Sequence, residues 1–194
     1  MPLVEILPET HKVEITLLYG SNNNFTGERV YDFAKCYLHT DAEKLLTRAV
    51  EIAAELSFKI RIYDAFRPSE AQWALWKHSP DPDFLANPNI GSPHSRGVAV
   101  DVTLLDYNGQ KLDMGTDFDE FSELSHHGNP EISKVAKTNR MLLLGIMTAA
   151  GWDFFKNEWW HYQLFNSKGY QLLSDKDLKV PMMLSTKHKK GPCK

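Results

Sequence analysis

The sequence has little cysteine. Its two cysteines among 194 residues, Cys36 and Cys193, cannot build a disulfide-rich scaffold or a four-cysteine metal site. Long apolar runs are missing as well. The longest, Met141 to Trp152, contains Thr148, Gly145 and Gly151 and is too short to span a bilayer. No basic segment followed by an apolar stretch opens the chain, so no signal peptide is expected and the expected location is the cytoplasm. Charge of one sign is also lacking: 22 Lys and Arg stand against 25 Asp and Glu, a net charge of -3. That balance provides no general basic surface, so neither nucleic acid nor membrane is an expected partner. The basic end from Lys187 to Lys194 reads as a solvated, flexible tail. No internal repeat or low-complexity linker divides the chain.

What is present is ordinary globular material, with 42% hydrophobic and 24% charged residues. A chain of this length buries roughly 70% of its unfolded surface, enough for one full core. A single domain over residues 1–194 is expected, with 166–194 as a C-terminal extension.

The pattern along the chain points to α+β: a central, mostly antiparallel sheet with packed helices. Val13 to Tyr19 reads as a strand ended by the loop Gly20–Asn24. Thr40 and Glu43 have capping-box spacing ahead of apolar residues at helical intervals up to Leu56. Phe58 to Tyr63 reads as a strand and Pro68 as the start of a helix over Ser69 to Lys77. Ser79 to Gly91, with three prolines, reads as a surface loop. Gly97 to Leu105 alternates as a strand, and Asn108-Gly109 predicts a hairpin returning through Lys111 to Met114. A buried helix from Ser133 to Ala150, closed by Gly151, precedes a last hairpin of Trp152–Phe155 and Trp159–Phe165.

Two segments carry the chemistry: Gly91 to Asp101 and Glu158-Trp159-Trp160-His161. In the alternating strand Asp101 faces away from Val98, Val100, Val102 and Leu104, beside small Ala99 and Thr103. His94 lies an odd number of positions from Asp101, so the chain must turn between them, and Gly97 allows that turn. His161 shares its strand face with Gln163, while Glu158 is expected at a turn, re-aimed toward the same site. Two histidines and one carboxylate suit a catalytic zinc site with an open position for water. Glu158 suits a proton carrier, and Arg67, before Pro68, suits an oxyanion partner. Each fragment alone is more often a structural polar cluster.

The combination Ser92-x-His94-x-x-Gly97-x-Ala99-x-Asp101 with Glu158-x-Trp160-His161 resembles the zinc D-alanyl-D-alanine peptidases, whose fold the hedgehog signalling domain shares. It is most similar to the D-alanyl-D-alanine dipeptidases, which include vancomycin-resistance enzymes and housekeeping relatives. Asn24-Phe25-Thr26-Gly27, Tyr63 to Pro68, Met114-Gly115-x-x-Phe118-Asp119 and Ser125-His126-His127 add to the match. The resemblance implies one Zn2+ per subunit on His94, Asp101 and His161. It implies Glu158 as base and acid, Arg67 as transition-state partner, and Tyr19, Ser92 and Asp119 as substrate-binding residues. The implied activity is hydrolysis of D-Ala-D-Ala in cell-wall dipeptide turnover, and a homodimer is an open option. A D,D-carboxypeptidase, a murein endopeptidase and a non-catalytic hedgehog-like zinc module are the alternatives on this fold.

Overall fold

The computed structural model describes residues 3–184. The basic tail and Cys193 lie outside the described residues. The chain runs β1 (Leu3–Glu5), α1 (Pro8–His11), β2 (Glu14–Ile15), β3 (Tyr37–His39), α2 (Thr40–Glu55), β4 (Lys59–Asp64), α3 (Ser69–His78), β5 (Ala99–Leu105), α4 (Lys134–Ala150), β6 (Asp153–Phe154) and β7 (His161–Gln163). A five-stranded sheet has the order β2-β4-β5-β7-β6, and β1 pairs with β3 in a separate ribbon. Only the β2–β4 pairing in the larger sheet is parallel. The α+β reading with a mostly antiparallel sheet therefore holds.

The sheet has two unlike faces because β5 alternates. Val100, Val102 and Leu104 enter a core with Leu46, Ala49 and Ala53 of α2 and Leu143, Ile146, Met147 and Ala150 of α4. The other face presents Asp101. Helix α4 begins at Ser133, whose hydroxyl accepts from the Ala136 amide at 3.0 Å. It ends at Gly151, whose φ of 106° admits a left-handed cap.

Three expectations need correction. The strand expected over Val13–Tyr19 is reduced to β2. The chain then turns through a single 3-10 turn at Leu18–Gly20, which points Tyr19 inward. The capping-box position expected at Thr40 falls one residue late: His39 is the cap, its Nδ1 accepting from the Asp41 amide at 3.1 Å. The return strand over Lys111–Met114 shrinks to one bridge between Leu105 and Lys111. Beyond it the chain leaves the sheet to form a loop over the site.

The extension read from residue 166 onward is built into the body as far as Leu184. Leu173, Leu178, Met182 and Met183 join Tyr19, Tyr31, Phe66 and Leu75 in a second apolar cluster. The Leu173 amide donates to Ser95 O at 2.8 Å, which braces the turn that carries His94.

Candidate metal centre and active site

Three neighbouring strands supply the floor of the site. Asp101 of β5 lies directly opposite His161 of β7, so both side chains leave the same face. On its other flank Asp101 lies opposite Asp64 of β4, across a register shift after Ile62. In an unbroken strand Asp64 would follow Ile62 into the core. The bulge instead turns the carboxyl to the site face.

His94 arrives from a single 3-10 turn, His94–Arg96, started by Pro93 and closed by Gly97 at φ 70°. The Ser92 hydroxyl accepts from the His94 amide at 3.2 Å and fixes the entry to this turn. Pro93 thus begins the turn and leaves the buried ligand segment without an extra donor to satisfy. The turn expected at Gly97 is present, and it brings His94 beside Asp101.

The donor atoms converge. His94 Nε2 lies 3.1 Å from His161 Nδ1 and 3.3 Å from Asp101 Oδ1. His161 Nδ1 is 3.1 Å from Asp101 Oδ1. Tetrahedral bonds of about 2.0–2.1 Å place ligand atoms roughly 3.3–3.4 Å apart, so this triangle fits a small divalent ion. His94, Asp101 and His161 are the one such group among the described residues. Each ring is oriented from behind. His94 Nδ1 donates to Ala65 O at 2.7 Å, leaving Nε2 free. His161 Nε2 donates to Gln163 Oε1 at 3.1 Å, leaving Nδ1 free.

Around the triangle lies an excess of carboxyl groups. Glu158 is buried at the turn before β7, with Oε2 3.8 Å from His161 Nδ1. Burial pushes its carboxyl well above the usual range; Asp101 and Asp119 add to the rise and Arg67 offsets it. Burial and the nearby Asp101 raise Asp119 in the same way. Asp101 departs in the other direction: burial alone would raise it, but His94 and His161 hold it below the normal range. A site with one arginine among Asp64, Asp101, Asp119 and Glu158 suits cations, both a metal and an ammonium.

Arg67 is held on three sides. Its Nε donates to Asp64 Oδ2 at 2.8 Å and its Nη1 to Gln72 Oε1 at 2.9 Å. Its Nη2 lies 3.6 Å from Asp101 Oδ2, and its guanidinium sits 4.9 Å from the centre of the Tyr19 ring. Asp64 is itself held by Tyr31, whose hydroxyl donates to Oδ1 at 2.8 Å. Tyr19 OH donates to Asp119 Oδ1 at 3.1 Å, and Asp119 Oδ2 is buried without a partner. Asp119 has φ 60°, a left-handed conformation that a side chain adopts at some cost.

These groups open onto one cavity of about 230 Å³, lined by Tyr19, Arg67, Ser92, His94, Asp101, Asp119, Glu158 and His161. Phe84, Leu85, Phe121 and Phe155 supply its apolar walls. Every residue selected from the sequence as a site candidate therefore reaches the same cavity. The sequence motifs do not single out Asp64, Tyr31, Gln72 and Gln163. Gln163 had a visible signal, since it shares a strand face with His161. Asp64 did not, because only the bulge turns it inward. His126 and His127 stay out of the metal group: His126 packs near Phe84, and burial lowers the His127 imidazole to about 4.

By its likeness to known proteins the chain is a metallopeptidase. Residues 2–181 match the model of a family described as D-ala-D-ala dipeptidase, and the chain belongs to that family. It is 43% identical to the D-alanyl-D-alanine dipeptidase of Escherichia coli K12, over 89% of this chain and 88% of that relative. It is 31% identical to the protein of the same name from Enterococcus faecalis V583, over 80% and 88% of the two chains. A Streptomyces coelicolor relative of that name is 33% identical, over 75% and 83%.

Proposed function

We propose that this protein hydrolyses the free dipeptide D-Ala-D-Ala to two D-alanines, using zinc held by His94, Asp101 and His161. The same reading includes a cytoplasmic role in cell-wall dipeptide turnover. The observation that carries it is a single small cavity joining the His-Asp-His triangle to the unpartnered carboxyl oxygen of Asp119. When bound, zinc supplies Lewis acidity and a water that ionises near neutral pH.

The chain's own residues do the rest. Asp119, steadied by Tyr19, takes the substrate ammonium, and Ser92 lies along the cavity wall beside the ligand turn. Glu158 removes the proton of the attacking water and returns it to the departing amine. Its position, with Oε2 3.8 Å from His161 Nδ1, sets it beside the metal position for both transfers. Arg67, already fixed by Asp64 and Gln72, meets the developing oxyanion without needing to reorganise. The apolar walls confine the substrate and exclude water.

Glu158→Ala tests the proton carrier. Zinc content is expected to be retained while turnover of D-Ala-D-Ala falls by about 10²–10⁴-fold. Unchanged turnover would overturn the assignment. Clear preference of the unaltered enzyme for a pentapeptide stem over the free dipeptide would replace this reading with a D,D-carboxypeptidase. A zinc-loaded protein inert toward both would favour a binding module.

A further inference from the structure

Arg140 is a buried cation on α4 whose four hydrogen-bond acceptors are all uncharged. Its Nε donates to Met114 O at 2.6 Å, its Nη1 to Leu124 O at 2.9 Å and His126 O at 3.1 Å, and its Nη2 to Thr116 Oγ1 at 3.3 Å. The guanidinium also lies 5.8 Å from the centre of the Trp159 ring. Burying a guanidinium with no carboxylate among its hydrogen-bond partners is costly. Nearby Glu120 and Asp113 favour the cation, and its donors satisfy three loop carbonyls and one hydroxyl. The placement of the bonds gives the cation a task.

The acceptors belong to two limbs of one loop. Met114 and Thr116 precede Asp119; Leu124 and His126 follow it. One guanidinium therefore closes the base of the loop, and Asp119 lies in the part it closes. At the same level the Thr116 and Ser125 hydroxyls are 3.1 Å apart, and Ser125 Oγ donates to Glu120 O at 2.6 Å. Gly115, at φ 81°, lets the loop press on Ile132 and Ala136 near the start of α4. The loop contains no β-strand, and its regular structure is the single turn Glu123–Ser125. Something outside the loop must hold Asp119 in its left-handed conformation with Oδ2 buried and unpartnered.

We propose that Arg140 is a positioning residue for substrate capture: it clamps both limbs of the 114–126 loop and so holds Asp119 ready for the dipeptide ammonium. This rests on the proposed dipeptidase activity. A lysine can keep the charge but cannot reach both limbs at once, because it has one donor head instead of a planar fork.

The test is Arg140→Lys in the zinc-loaded enzyme, with D-Ala-D-Ala as the probe. The KM should rise about tenfold while kcat changes by less than about threefold, and zinc affinity should be unchanged. In an Asp119→Asn background the same change should add less than about twofold to KM, because both substitutions remove one interaction. A role confined to stability would lower Tm and leave the KM of the folded enzyme alone. An unchanged KM, or effects that multiply in the double variant, would overturn the proposal.

Hydrogen exchange supplies a readout without substrate. Amides of residues 116–124 should exchange faster in Arg140→Lys while those of β5 and β7 do not; unchanged exchange would also overturn the clamp. If Arg140→Lys does not fold, Asn139→Leu replaces it. That variant removes the Asn139 Nδ2 bond to Asp113 O, 2.8 Å, at the start of the same loop. It should raise KM about two- to threefold, and an unchanged KM would refute the link from the anchored loop base to Asp119 on which the proposal depends. Absence of D-Ala-D-Ala turnover in the unaltered enzyme would instead refute the proposed function and leave the exchange result to judge the clamp.

Discussion

Replacing Gln163 with leucine should weaken zinc binding without disturbing the ligands themselves. His161 offers Nδ1 to the triangle only while its proton resides on Nε2, and Gln163 Oε1 accepts that proton's hydrogen bond at 3.1 Å. Leucine fills similar space but accepts nothing. An N–H left without its partner costs about 1–3 kcal/mol when buried. Gln163 is half-buried, so water can replace part of the loss and the lower part of that range applies. The expected change is about tenfold weaker affinity, or about 1.4 kcal/mol. The assay is titration of metal-free protein with zinc in competition with a chromophoric chelator at pH 7. Gln163→Glu restores an acceptor and should stay within about threefold of the unaltered protein. Unchanged affinity in Gln163→Leu would refute the claim that this contact sets the ring's presentation.

Two further changes probe the supports of the site. Asp64→Asn removes the charge that faces Arg67 Nε at 2.8 Å, and kcat on D-Ala-D-Ala should fall about tenfold with KM nearly constant; an unchanged kcat would show that Arg67 does not need this partner. Gly97→Ala places a methyl 2.6 Å from Leu3 Cδ2 and 3.1 Å from the His39 amide nitrogen at φ 70°, which should cost about 1–3 kcal/mol and lower Tm in thermal denaturation; an unaltered Tm would contradict the strain argued for this turn.

The parts of the site that follow from strand alternation were legible in the sequence. Asp101 opposes the valines of β5, and Gly97 marks the turn needed to bring His94 back to it. The segment before β7 behaves less simply. Trp160 lines the cavity, whereas Trp159 is not among its lining residues and donates to Thr116 Oγ1 at 2.8 Å. The turn that re-aims Glu158 breaks the alternation there. What stayed hidden depends on register and distant packing. The β4 bulge that turns Asp64 inward changes pairing by one position and leaves no composition signal. The Arg140 hydrogen bonds join residues more than a dozen positions apart, three of the four through backbone carbonyls, which any sequence would present. Val13–Tyr19 misled because apolar, β-prone residues were needed there to cover the core and the second cluster, while backbone pairing extends only over Glu14–Ile15.

The most direct measurement of the proposed activity is D-alanine release from D-Ala-D-Ala by the purified protein, before and after removal of metal with a chelator and again after zinc is restored. Two D-alanines per dipeptide, loss of turnover on chelation and recovery with zinc are expected. Turnover that survives complete metal removal, or a zinc-loaded protein that leaves the dipeptide intact, would contradict it.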